Sequence, residues 1–260
     1  MRSDLIVEGE PDSCRVLASL GDALRTMPPW LHPFQSVADR VAQSKAESIA
    51  ASLNFARASD ETLPQFVPQS MLPGDEPYES FIAKTFRVPT RNNLHDLFNG
   101  IVWLTFPRTK RRINLLQAQE IMRRGVSGSR GEVRDALTVF DENGAILQAP
   151  SSLTNALRER DWNSLFVTHR ADWQSAHLVL FGHALLEKLM QPRKPMTAHV
   201  WCVDDLSDDA VAASLTPERL IDKPFSPLPV LGVPGWCEAN EHPQFYRDSG
   251  VFRVPTIRAI

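Results

Sequence analysis

Apolar residues recur at helical spacing through the first third of the chain. In residues 14–25 they fall on one helical face, and the Pro-Pro pair after Met27 ends the predicted helix. A second helix is predicted over residues 33–55, although its Ala- and Ser-rich middle is only weakly amphipathic. Residues 61–77 contain four prolines and a glycine, which predict an extended connection with a short strand near Phe66.

Two consecutive helices are predicted in the middle of the chain. Asn92 or Asn93 can cap the first of them, because an amide oxygen accepts hydrogen bonds from the first free backbone amides of a helix. Its apolar stripe continues to about Thr105. Pro107 then ends this helix and opens another over residues 108–124. We expect a helical hairpin around Pro107.

The pattern favours β-structure after three glycines at positions 125, 128 and 131. A strand over residues 136–140, a hairpin turn over residues 141–144 and a strand over residues 145–147 are predicted, because the Asn-Gly pair in the turn tolerates positive φ. The remaining predicted elements are strands at 177–181 and 197–203 and helices at 78–86, 151–160, 183–190 and 207–215, and the last forty residues are predicted to be mostly irregular. These elements predict an α+β fold with N-terminal helices, a central helical hairpin and a small mixed or antiparallel sheet, in a single domain over residues 1–260.

Composition narrows the classes of function. The 260 residues are 43% hydrophobic and 23% charged, which is ordinary for a folded soluble protein. A net charge of −3 gives no basic surface for nucleic acid, and the chain has neither an apolar run near 18 residues nor an N-terminal signal pattern. We therefore expect no nucleic-acid or membrane partner and a cytoplasmic location. Cys14, Cys202 and Cys237 form no CxxC pair, so neither disulfides nor a structural metal is predicted.

Candidate chemistry is concentrated between Arg91 and Asn114. His95 and Asn99 are four residues apart and share one helical face, with Arg91 one turn before them. Asp96 lies about 100° round the helix from His95, so both can border one pocket. We predict His95 as a general acid or base, Asp96 as its orienting partner, and Arg91 and Asn99 as substrate contacts. The same pair also fits a structural role, with Asp96 capping locally and His95 satisfied in the interior.

The following helix offers contacts for an anion. Lys110, Asn114 and Gln117 share one polar face, and a hairpin around Pro107 would turn this face toward His95. An ammonium group with an amide suits an anionic oxygen. We therefore predict Lys110, Asn114 and Arg134 as contacts for a small anionic ligand, while an ordinary exposed helix face remains the alternative.

Two further residues are candidates for catalysis. Asp135 lies at the start of the predicted strand after the glycine-rich loop. His183 follows a strand and a glycine, where functional sites are commonly built, with Glu187 one turn later. Asp141 and Glu142 are assigned to the hairpin turn, and no residue is predicted to bind a metal.

A metal-dependent alternative is open for the same doublet. An adjacent His-Asp pair on a helix, as at His95 and Asp96, is the central signature of the metal-dependent phosphohydrolases named for it. His32 and Asp135 could fill their remaining ligand positions. However, His32 lies in a proline-flanked turn instead of a helix.

Four ordered segments carry a resemblance to a known family. They are HDLFNGIVWLTFPRTKRRIN, RDALTVFDENG, FGHALLEK and PVLGVPGW. In this order they resemble the uncharacterised bacterial family called domain of unknown function 3025, from around Trp30 to the C-terminal Val251-Phe252-Arg253. The resemblance implies a bacterial, cytoplasmic, single-domain protein, and it implies no activity, cofactor or catalytic residue.

The residues leave two classes of function open. One is a hydrolase-type enzyme acting on a small anionic substrate, with His95 as base or acid, and Asp96 or Asp135 as its orienting partner. The other is a non-catalytic module that binds a ligand or a protein with the same groups. Convergence of His95, Lys110, Asp135 and His183 on one cavity would favour the enzyme. The cofactor and the oligomeric state stay unknown at this stage.

Overall fold

The computed structural model describes residues 13–124, 131–222 and 224–254. Its α-helices are α1 (Ser13–Thr26), α2 (Gln35–Gln43), α3 (Ile49–Arg57), α4 (Tyr78–Thr85), α5 (Leu94–Thr105), α6 (Pro107–Arg124), α7 (Glu132–Asn143), α8 (Ser151–Glu159), α9 (His183–Lys188), α10 (Asp208–Ser214) and α11 (Pro217–Ile221). Short 3₁₀ or π segments connect several of them, mainly after α1 and in the last third of the chain.

Six strands form two small sheets. They are β1 (Gln65–Pro68), β2 (Arg87–Thr90), β3 (Gly144–Gln148), β4 (His177–Leu180), β5 (Thr197–Cys202) and β6 (Ser226–Pro229). Strands β1 and β2 pair in parallel, and the larger sheet has the order β4-β3-β5-β6. In it, β3 is antiparallel to β4 and parallel to β5, and β5 is antiparallel to β6. The predicted α+β class with a mixed sheet is confirmed.

Helix α5 lies at the centre of the fold. Its N-cap is Asn93, whose side chain accepts a hydrogen bond from the backbone amide of Asp96 at 2.8 Å, as the sequence predicts. Leu97, Phe98 and Ile101 are at most 1% exposed, and they belong to a continuous core that also includes side chains of the N-terminal helices and the larger sheet. Burial of the helix among other elements holds its polar residues in fixed positions.

The predicted hairpin over residues 136–147 is wrong. Residues 136–140 belong to helix α7, because Val133, Ala136, Leu137 and Phe140 form a buried helical stripe that extends beyond the window in which alternation was apparent. Gly144 has φ −74°, so the Asn-Gly pair forms a helix-to-strand junction and no left-handed turn. A β-carbon on Gly144 would lie 2.2 Å from the carbonyl oxygen of Phe140, which explains the glycine.

Other boundaries differ from the prediction at points where side chains cap the chain. The single helix predicted over residues 33–55 is split into α2 and α3, since Ser48 adopts an extended conformation and caps α3 by accepting from the amide of Ala51. The last forty residues contain strand β6 in addition to irregular segments. Of the three predicted glycine breaks, positions 125 and 128 lie outside the described residues.

Within the described ranges, none of the helices combines the length and apolar character that crossing a bilayer requires.

Candidate functional site

A cavity of about 360 Å³ lies among helices α4, α5, α6, α7 and α9. Residues that line it include His95, Asn99, Lys110, Asn114, Asp141 and His183. The sequence predicts that the first four face one cleft between consecutive helices, and the structure brings all four to this cavity. His183, predicted separately, joins them from α9. The candidate site is therefore built from four successive helices, α4 to α7, and from α9, which is distant in sequence.

The two histidines meet at the cavity wall. The Nε2 atoms of His95 and His183 are 3.1 Å apart, and the ring centroids are 4.5 Å apart with an interplanar angle of 73°. His183 is 4% exposed, whereas 31% of the His95 side chain is exposed. His183 thus lies behind His95, which borders solvent.

Each histidine is oriented by an acceptor at its other ring nitrogen. Nδ1 of His95 lies 3.0 Å from Oε2 of Glu187, and Nδ1 of His183 lies 2.8 Å from the carbonyl oxygen of Asp141. A carbonyl and a carboxylate can only accept, so both Nδ1 atoms carry the hydrogen. In the neutral rings, the Nε2 lone pairs therefore point toward each other.

Burial lowers the pKa of His183 to about 3, so its imidazole is neutral at physiological pH. Burial and the neighbouring Asp141 charge raise the pKa of Glu142. Burial opposes the ionisation of Asp141 itself, but Lys110 and the histidines hold the pKa of that carboxyl below its usual range. Next to the histidines, the ionised carboxylate of Asp141 therefore lies beside the carboxyl group of Glu142, which ionises less readily.

Lys110 is enclosed by acceptors. Its ammonium lies 2.5 Å from Oδ1 of Asp141 and 2.8 Å from Oδ1 of Asn99, and its side chain is 3% exposed. The Asn99 amide in turn donates to the Tyr78 hydroxyl at 3.1 Å. Burial raises the pKa of Tyr78 well above its ordinary value, so the hydroxyl stays protonated. These four residues form one connected polar network, in which the lysine already has a counter-ion.

The side chain of Asp96 binds Arg91 at the N-terminal end of helix α5. Its carboxylate pairs with Arg91, with Nη2–Oδ1 at 2.9 Å and Nε–Oδ2 at 3.1 Å, and it also accepts from the backbone amide of Arg91 at 2.6 Å. The side chain is thus committed to the turn between β2 and α5. The expected role of Asp96 as orienting partner of His95 falls to Glu187, a position 92 residues away in sequence.

Asn114 and Arg134 are tied to the same acidic residue. The Asn114 amide donates to the backbone carbonyl of Glu79 at 2.9 Å, and Arg134 Nη2 lies 3.2 Å from the Glu79 carboxylate. Asn114 lines the cavity, whereas Arg134 does not. Both predicted anion contacts therefore already have partners within the protein.

Asp135 is not brought to the site. It is exposed on the first turn of α7 and does not line the cavity, so its predicted place at the start of a strand is wrong. His32 lies in a 3₁₀ segment and does not line the cavity either. The His-Asp doublet thus lacks the companions that a phosphohydrolase of that type needs.

Three acidic residues at the site were missed as functional candidates. The sequence pattern assigns Asp141 and Glu142 to a turn and places Glu187 only as a neighbour of His183. The signal that identifies the first two is the helical stripe of α7, which places them at its C-terminal end. Glu187 follows His183 by four residues, which puts both on one face of α9.

Comparison with known proteins identifies the family. No curated protein and no solved structure matches the chain significantly. Residues 64–256 match the family described as protein of unknown function (DUF3025), and this match covers well over half of the sequence. It includes every residue of the site described above. The chain therefore belongs to the DUF3025 family.

Proposed function

We propose that this protein is a hydrolase-type enzyme that acts on a small substrate in the cavity beside His95 and His183. One observation carries the proposal. Two imidazole Nε2 atoms converge to 3.1 Å at a cavity wall, and each ring is oriented by a separate acceptor. Histidine is the most frequent side chain in general acid–base catalysis, and a base fixed by a second group is the usual arrangement.

The reaction needs one activated water. The histidine pair would take a proton from water, and the resulting hydroxide would attack the electrophilic carbon or phosphorus of the substrate. The bond to the leaving group breaks, and the leaving group receives a proton, so that water is added across the cleaved bond. His95 is the partly exposed member of the pair and is the one that can meet water and substrate.

The charge of the lining restricts the substrate. Four carboxylates line the cavity, at Glu79, Asp96, Asp141 and Glu142, against two cationic side chains that are both paired with carboxylates. An anionic group would have to compete with those ion pairs. A small anionic substrate, the class that the sequence favours, therefore fits this cavity only if a cation near the histidines offsets the acidic wall.

A non-catalytic binding module is the second candidate. The observation in its favour is that Lys110, Asn99, Tyr78 and Asp141 hydrogen-bond to one another. Such a network stabilises the cavity wall without any reaction. It does not account for the convergence of two oriented histidines, so we rank it below the enzyme.

We place the protein in the cytoplasm of a bacterium, as its resemblance implies. Free thiols at Cys202 and Cys237 support a reducing compartment.

Release of 4-nitrophenolate, or of 4-nitroaniline from the anilide, tests the proposal. The purified protein is assayed with 4-nitrophenyl acetate, 4-nitrophenyl phosphate, bis(4-nitrophenyl) phosphate and an alanine 4-nitroanilide, each with and without added Zn²⁺ or Mn²⁺. We expect turnover of at least one of these substrates. His95→Ala should lower the rate of hydrolysis roughly 10²–10⁴-fold, the range for removal of a general acid or base.

His177→Ala is the matched control, because His177 is exposed on β4. It should keep the wild-type rate, and melting curves of both variants check that they are folded. Absence of turnover on the whole panel, or a His95→Ala variant as active as His177→Ala, would contradict the proposal.

A further inference from the structure

We propose that His95, His183 and Glu142 bind a divalent first-row transition-metal ion at the wall of the cavity. One ligand atom from each of the three residues lies within 4.8 Å of the others. The inference rests on the proposed function and revises how the water is activated: with both Nε2 lone pairs bound to the ion, the ion lowers the pKa of a bound water, whose proton passes to solvent, and the histidines act as ligands instead of as the base. It departs from the sequence prediction, which assigns no metal ligand.

The distances suit ligands of one ion. His183 Nε2 lies 3.1 Å from His95 Nε2 and 3.7 Å from Glu142 Oε1. Two nitrogens that are each about 2.1 Å from one ion are separated by roughly 3.0 Å at a right angle and roughly 3.4 Å at a tetrahedral angle. The observed separation of the histidines falls between these values, so the two imidazoles need little movement to bind one ion.

The orientation of the rings is that of metal ligands. Both Nδ1 atoms donate, to Glu187 and to the Asp141 carbonyl, which leaves both Nε2 lone pairs directed at one point. Two such lone pairs at 3.1 Å repel each other unless a proton or a cation lies between them. A carboxylate or carbonyl behind the ligating histidine is the usual second partner in metal sites, where it fixes the tautomer and raises the basicity of the ligand.

The surrounding charge favours a cation. The Asp141 carboxylate comes within 3.8 Å of His183 Nδ1, and Glu187 and Glu142 lie on the other sides. Lys110 offsets only one of these charges, since it pairs with Asp141. An ion here would also make the cavity compatible with an anionic substrate.

The donor set indicates the kind of ion and its use. Two imidazoles and one carboxylate suit Zn²⁺, Fe²⁺, Co²⁺, Mn²⁺ or Ni²⁺ better than Ca²⁺ or Mg²⁺, which prefer oxygen ligands. Three protein ligands leave coordination positions for water and substrate, as in catalytic sites. These positions would face the side where His95 and Glu142 are partly exposed.

Metal titration tests this inference without any substrate. The full-length protein is stripped with a chelator and dialysed, then titrated with Zn²⁺ by calorimetry and with Co²⁺ by visible absorption. We expect one equivalent of each ion to bind and Co²⁺ to give d–d bands. Glu187→Ala should weaken binding by about 10–100-fold through loss of the orienting partner, and His95→Ala should weaken it further.

Controls separate this site from adventitious binding and from misfolding. His177→Ala and Glu132→Gln remove an exposed histidine and an exposed glutamate of α7, and they should bind as the wild type does. Because His183 is buried, Glu142→Gln serves beside His183→Ala as the variant that keeps the fold, with melting curves as the check. Wild-type protein that binds no ion, or equal binding in His95→Ala and His177→Ala, would overturn the metal site.

The two proposals fail separately. Hydrolysis that persists in the stripped protein, without metal binding, would overturn the metal site and leave the hydrolase. One bound ion that is lost in His95→Ala, without turnover of any substrate on the panel, would support the metal site and contradict the hydrolase.

Discussion

The ammonium group of Lys110 lies 2.5 Å from the carboxylate of Asp141, in a position where only 3% of the lysine side chain is exposed. The pair joins α6 to the C-terminal end of α7, directly behind the two histidines. It determines two properties of the site. The charge of the lysine is balanced by the carboxylate, and the backbone carbonyl of Asp141 is held where it accepts a hydrogen bond from Nδ1 of His183.

Removal of one partner of this ion pair should be costly. Lys110→Met leaves the Asp141 carboxylate without its counter-ion in a largely buried position, so we expect a loss of about 3–5 kcal/mol in the free energy of unfolding. Urea denaturation measures this value. The double variant Lys110→Met/Asp141→Asn should recover part of the loss, since no uncompensated charge remains. A single variant as stable as the wild type would show that the pair is not formed in solution.

His95 and Leu97 should respond differently to truncation. Leu97 is 0% exposed, and Leu97→Ala should cost about 2–5 kcal/mol because it leaves a cavity in the core. His95 is partly exposed and makes one hydrogen bond to Glu187, so His95→Ala should cost only about 1 kcal/mol. Thermal or urea melts of both variants compare them directly. Equal destabilisation would make His95 a structural residue and remove it from the site.

Gly182 is required by close backbone packing in front of His183. A β-carbon at this position would lie 2.5 Å from the backbone nitrogens of Asn143 and Gly144, and these atoms cannot move without displacing the junction of α7 and β3. We expect Gly182→Ala to destabilise the protein by about 1–3 kcal/mol. Chemical denaturation of the purified variant measures this loss.

Gly21→Ala is the matched control for that substitution. The new β-carbon at Gly21 meets its nearest side-chain atom at 3.9 Å, and alanine is the better residue inside helix α1. It should raise stability by about 0.5–1 kcal/mol. If Gly182→Ala is as stable as Gly21→Ala, then Gly182 does not pack closely against the backbone of Asn143 and Gly144.

Local patterns in the sequence predict much of the fold. The stripe of Leu97 and Ile101, the amide cap at Asn93 and the proline at 107 are all local signals, and they place α5 and α6 correctly. The strand prediction at residues 136–140 fails because a partial alternation over five residues also fits the helical stripe of α7. The Asn-Gly pair misleads for a related reason. Glycine is needed at 144 for space, whereas the turn signal assumes positive φ.

The candidate site is predictable only in part. Spacing on one helix brings His95 and Asn99 to a common face, and helix α6, which begins at Pro107, adds Lys110 and Asn114. The meeting of His95 with His183 and Glu187 depends on how α9 packs against α5, which no local pattern encodes. Lys110 and Arg134 are predicted to contact an anion, but both form ion pairs within the protein. Their acidic partners come from distant segments, so no local pattern reveals the pairing.

Nitrogen-15 NMR of the imidazole rings tests the central claim most directly. In protein labelled at its histidines, long-range ¹H–¹⁵N spectra identify the protonated nitrogen of each ring. We predict that His95 and His183 carry hydrogen on Nδ1, that the Nε2 resonances of both shift when one equivalent of Zn²⁺ is added, and that His177 is unaffected. If either ring carries hydrogen on Nε2 in the presence of Zn²⁺, or if only one of the two responds, the converging pair is not a functional centre.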